Sequence, residues 1–175
     1  MDAASARSEK RSIGKPILVL ALFIVTSVYF GCSYALRFPF VGMLPAEFES
    51  QSAVVVEDNG RCGVAIFKLN DEVKTRILQH EDAFFSKPAS PRVSRYHSDA
   101  YVPWKKTPLP SFWTNAELGK NRWSGLGCST NSALIETVTN AAWHEGGYYT
   151  YLNRGTPAIV AFPKLGLVVV SYISF

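Results

Sequence analysis

The chain has few of the residues that build metal and redox centres, with three cysteines and three histidines among its 175 residues. It contains no Cys-x-x-Cys pair and no two histidines three to five residues apart, so the spacings of a zinc site are missing. Asp58, Asp71, Asp82 and Asp99 do not follow the spacing of a calcium loop. Gly125-Leu126-Gly127 lacks the lysine and the preceding strand of a phosphate loop, and Ser129 has no Gly-x-Ser-x-Gly context. No internal repeat or low-complexity tract occurs. Neither a metal nor a cofactor is therefore expected.

Charge is also sparse. Charged residues make up 18% of the chain against 47% hydrophobic and 13% aromatic, which excludes a disordered protein and favours a packed core. The net charge of +4 would suit nucleic acid if it were spread over the chain. It is not. Residues 1–40 carry Arg7, Lys10, Arg11, Lys15 and Arg37 against Asp2 and Glu9, a net of +3, while thirteen basic residues meet twelve acidic ones in the remainder. The basic balance belongs to the N-terminal flank, and nucleic acid is not an expected partner.

What the flank borders is a long apolar run. From Pro16 to Leu36 there is no charge, and a helix of about 20 residues spans a hydrocarbon core. Pro16 fits a first helical turn, where its missing N–H costs nothing. Four basic residues precede the run and Arg37 follows it, so the positive-inside rule keeps the N-terminus cytoplasmic. The expected organisation is a basic lead over 1–15, a transmembrane signal anchor over 16–36, a connector over 37–51 and an outer domain over 52–175. Two other fates fit the same segment: cleavage after Ala35 at Ser33-Tyr34-Ala35, or acylation at Cys32. All three readings place the domain outside the cytoplasm, periplasmic or extracellular, with the lipid bilayer as a partner.

Within the domain, Ser52 to Glu57 and Arg61 to Leu69 read as strands around the turn Asp58-Asn59-Gly60. Alternation puts Cys62, Val64 and Ile66 on one face of the second strand, with Gly63, Ala65 and Phe67 on the other. Asn70 caps a helix expected over 71–85, whose stripe is Val73, Ile77 and Phe84. Glu81 lies within that stripe by angle and reads as fraying near the helix end, and His80 reads as half-buried at its edge. Asn131 to Glu145 forms a second helix with Leu134, Ile135, Val138, Ala141 and Ala142 on one face, leaving His144 solvated. Strands follow at 148–152, 158–162 and 167–175. Hairpin-linked strands without βαβ alternation imply an α+β fold, an antiparallel sheet with two helices on one face.

Residues 86–129 are rich in proline and aromatics, which excludes long regular elements. Tyr96, Tyr101, Trp104, Trp113 and Trp123 serve either as anchors pinning a long coil or as an aromatic groove for a glycan or extended peptide.

Export makes a disulfide between Cys62 and Cys128 the expected state of the domain cysteines. One competing chemistry uses the same residue. Gly125-Leu126-Gly127-Cys128-Ser129-Thr130 lies just before the second helix, where backbone N–H groups and the helix dipole lower a thiol pKa. Over this short stretch the chain resembles papain-like thiol hydrolases, in which a cysteine opens a helix packed on an antiparallel sheet. The resemblance implies Cys128 as nucleophile with His97 or His80 as base. His144 is about 16 residues along the helix, over 20 Å away at 1.5 Å per residue. A disulfide removes that nucleophile. The expected function is therefore a membrane-anchored, non-enzymatic structural or binding module with a protein or glycan partner, and the alternative is a thiol hydrolase.

Overall fold

In the computed structural model, the described residues are 14–48, 52–90, 92, 100–113, 123–152 and 157–173. The chain divides into two compact units, Met1–Ala35 and Leu36–Phe175. Helix α1 runs Gly14–Met43. Its apolar side chains over 18–28 are exposed all round, from 53% for Ile24 to 74% for Leu18. Among the described residues, no helix is long and apolar enough to cross a membrane.

The larger unit is an α+β fold around a six-stranded sheet in the order β1-β2-β6-β5-β4-β3. The strands are β1 (Ser52–Asp58), β2 (Cys62–Lys68), β3 (Lys105–Lys106), β4 (Tyr148–Tyr151), β5 (Ala158–Phe162) and β6 (Leu167–Ile173), every neighbour antiparallel. β6 links the N-terminal hairpin to the C-terminal meander by pairing with both β2 and β5. The hairpin turn sits one residue later than the Asn-Gly signal suggests. Asn59 pairs with Cys62, and Gly60 takes the positive φ of 80°. Asn59 contributes through its side chain instead, its Oδ1 accepting from the N–H groups of Arg61 and Cys62 at 3.0 and 2.9 Å. β3 escapes sequence detection because it is two residues long. Its lysines mark an exposed sheet edge, where charge discourages pairing with another chain.

Helices lie on both faces of the sheet, which corrects the expectation of one covered face. On one side Ala65, Phe67, Ile159, Ala161, Val168 and Val170 pack with Phe40, Leu44, Phe48, Val73 and Ile77. On the other, Val64, Ile66, Val160, Phe162 and Val169 pack with Val138, Ala142, Trp113, Trp123 and Leu126. The alternation expected along β2 is therefore present, but neither face meets water. The continuous apolar runs Val64 to Phe67 and Ala158 to Phe162 are the signature of two-sided burial.

Two helix expectations change. The helix expected over 71–85 breaks into α2 (Asp71–Gln79) and α3 (Glu81–Phe85) at His80, whose φ and ψ are −136° and 44°. Asn70 caps α2 as its position implies, Oδ1 accepting from the Val73 N–H at 2.7 Å. The break turns Glu81 into the exposed opening residue of α3 and leaves His80 exposed, not half-buried. It also shifts the buried position from Phe84 to Phe85. Helix α4 (Ser132–Ala142) is shorter than its sequence pattern but buries the expected Val138 and Ala142.

The expected wet connector over 37–51 is corrected as well. α1 continues to Met43, and Phe40, Leu44 and Phe48 are fully buried. Phe40, Met43, Leu44 and Phe48 recur at helical spacing, a pattern overshadowed by Pro39 and Pro45. The last carbonyls of this segment are satisfied by distant groups. The Tyr101 hydroxyl donates to Met43 O at 2.6 Å, the Arg92 N–H to Gly42 O at 3.1 Å, and Arg92 Nε to Pro45 O at 3.3 Å. Arg92 Nη2 also donates to Phe48 O.

Candidate functional site

The residues singled out for chemistry fall in two places, and the fold adds a third. The first is the cysteine junction. Cys62 opens β2 and Cys128 closes a 3-10 turn over Ser124–Cys128, and their Cα atoms are 6.2 Å apart, which is disulfide distance. Cys128 does not open the following helix. Ser129 is extended, and α4 starts only at Ser132, capped by Asn131 Oδ1 accepting from the Leu134 N–H at 3.2 Å. The dipole argument for an activated thiol therefore loses its geometry. Asn59 Nδ2 donates to Cys128 Sγ at 3.5 Å. His97 lies outside the described residues, and His80 and His144 are exposed, the latter with Nδ1 2.7 Å from Asn140 O.

A carboxylate reinforces this junction. Glu57 on β1 accepts from the Thr130 N–H at 2.6 Å and from its hydroxyl at 2.9 Å. Burial opposes ionisation of Glu57, but the Thr130 hydroxyl, the Thr130 N–H and the Ser129 hydroxyl outweigh it and hold the carboxyl below its ordinary range. The sign for stability follows directly. A depressed carboxyl stabilises the fold at pH values above the unfolded pKa, and that contribution is lost as pH falls through the folded one. Glu57→Gln is expected to cost about 1 kcal/mol at neutral pH, discounted for solvent screening. In urea titrations across the acid range, the gap between wild type and variant should close as pH drops. A gap independent of pH would show that charge is not what Thr130 recognises.

The aromatic residues form the second place, and they do not assemble into one groove. Tyr101 and Trp104 pack on the α2 side of the sheet, Trp104 against the rings of Phe48 and Phe85. Trp113 and Trp123 are buried on the opposite side, Trp113 edge-on to Tyr149 and Tyr151 at 5.0 and 5.4 Å. Tyr96 lies outside the described residues. The four described side chains fill core volume on two faces, as anchors do.

The third place is a polar cleft of about 340 Å³ that the sequence does not announce. Glu81 on α3, Lys106 on β3, Glu145, Tyr148 on β4 and Lys164 line it. Lys106 Nζ is 3.4 Å from Asp82 Oδ1 and lies 5.8 Å over the Tyr148 ring. Burial pushes the Tyr148 phenol up, and its interactions with Glu81 add to the rise against the opposing effect of Lys106. The cleft combines two carboxylates, Glu81 and Glu145, with two ammonium groups, Lys106 and Lys164. Among the described residues, no group of three or more His, Cys, Asp or Glu is placed to hold a metal ion.

No family model matches the chain, and no curated protein or solved structure matches it either.

Proposed function

We propose that the chain is a single-pass membrane-anchored protein whose C-terminal domain lies outside the cytoplasm. There it acts as a non-enzymatic structural or ligand- or partner-binding module, stapled by a Cys62–Cys128 disulfide. The observation that carries this reading is the approach of those two cysteines to disulfide distance from a sequence separation of 66. Supporting it are the uncharged run from Pro16 to Leu36, the basic residues before it, and the apolar side chains exposed over 18–28. The pairing of Cys128 weighs against the hydrolase reading, which needs a free thiolate.

Alkaline phosphatase fused after Phe175 tests the topology, because that enzyme matures only where disulfides form. The expected result is an active fusion that stays with membranes through alkaline carbonate washing, with Cys62 and Cys128 refusing alkylation until reduced. An inactive fusion, or two readily alkylated domain thiols, would overturn the reading.

A further inference from the structure

On the α2 side of the larger unit, a second cavity of about 470 Å³ opens between the segment after α1 and the α2–α3 break. Glu47, Arg76, His80, Phe84 and Lys87 line it. Positions 76, 80, 84 and 87 recur at three- and four-residue spacing, so α2, the break at His80 and α3 present them to one opening. Two of its walls are held in place. Arg76 Nη2 donates to Glu47 O at 3.2 Å, and its guanidinium lies 5.5 Å from the Phe84 ring centroid. The Phe84 ring is in turn fixed edge-on between Phe48 and Phe85, with centroids 5.6 and 4.9 Å away.

The charges here are only partly compensated. Among the described residues the one ion pair is Lys106–Asp82, so no carboxylate lies within ion-pair distance of Arg76 or Lys87. Within this cavity Arg76 and Lys87 face one lining carboxylate, Glu47, beside an aromatic floor, while Asp71 and Glu72 line a second opening that Arg76 and His80 share. We propose that this cavity binds a small organic anion, with a carboxylate or phosphate head paired to Arg76 and Lys87 and an apolar body laid on Phe84. A planar guanidinium already fixed on a ring is preorganised for such a head, and the volume falls in the range of small-molecule sites. The head can come from a free metabolite or from an anionic lipid. The site goes beyond the export reading and does not depend on it.

The test uses the full chain in a non-ionic detergent, with 1-naphthyl phosphate as the calorimetric probe. Saturable binding is expected, weakened about tenfold by Arg76→Gln and by Lys87→Gln, and about tenfold when neutral 1-naphthol replaces the phosphate. Lys87→Gln guards against loss of fold, since Lys87 is an exposed residue outside the helices. A control change at Lys68, exposed at the end of β2 and not lining the cavity, should leave affinity unchanged. Competition by soluble short-chain phosphatidylglycerol, but not phosphatidylcholine, would assign the head to lipid, and failure of both to compete would assign it to a free anion. Absence of saturable binding, or equal binding by the Lys68 and Lys87 variants, overturns the proposal. Alkylatable domain thiols with probe binding intact would overturn only the export reading.

Discussion

Replacing Cys62 or Cys128 with alanine is expected to lower unfolding free energy by about 2–4 kcal/mol. The ring closed by the pair spans a separation of 66 residues, for which loop-closure entropy allows about 4 kcal/mol. The closure is also well placed. It ties β2, a central strand, to the 3-10 turn that covers the second core, in a segment that Glu57 and Asn59 grip independently. Because a single bond is removed in each case, both single variants and the double variant should lose the same amount, and reductant should cost wild type that amount and the variants nothing. Chemical denaturation with and without reductant measures it. Unequal single-variant losses, or a wild type indifferent to reductant, would mean that the cysteines act separately.

Gly125→Ala is expected to cost about 3 kcal/mol, or about 10 °C in melting temperature, without any change in polarity. The glycine lies in the 3-10 turn directly over β2 and β6. An added Cβ would run into the carbonyl oxygen of Gly63, come within 2.5 Å of Ser171 Oγ and approach the Tyr172 nitrogen at 2.8 Å. Two of these three neighbours are backbone atoms of paired central strands, which have nowhere to move. Ser171 offers a control. Its hydroxyl is fully buried and finds no hydrogen-bond partner among the described residues, so Ser171→Ala alone is expected to be neutral or to gain about 1 kcal/mol. In the double variant, trimming Ser171 should relieve only a minor part of the Gly125→Ala loss. Full rescue would place the clash on the hydroxyl and not on the sheet backbone.

Much of the sheet is legible in the residue pattern. Val54 to Val56, the Asp58-Asn59-Gly60 turn and the alternation of β2 determine a hairpin, and the β-branched run after Gly166 announces β6. Less legible was what covers the sheet. The pattern of β2 assigns its residues to two faces but carries no mark of what packs on each. The answer was spread over Phe40, Leu44 and Phe48 at one end of the chain and Val138 and Ala142 at the other. The α2–α3 break was invisible for a related reason. His80 is an ordinary helix residue, and the break shows itself only in the fold, where Phe85 is buried in place of Phe84. Of the candidate sites, the cysteine pair was readable from compartment logic. Both cavities were not, because each draws its lining from segments far apart in sequence, joined only by the folded backbone.

The burial of Phe40, Leu44 and Phe48 has a practical side for anyone wishing to handle the domain without its greasy leader. The apparent start of the fold at Ser52 is a false landmark. A fragment beginning there discards three fully buried aromatic and aliphatic plugs and strips Tyr101 and Arg92 of the carbonyls they hold. The natural place to cut is before Leu36, where the larger unit begins, so that the last turns of α1 travel with the sheet they fill.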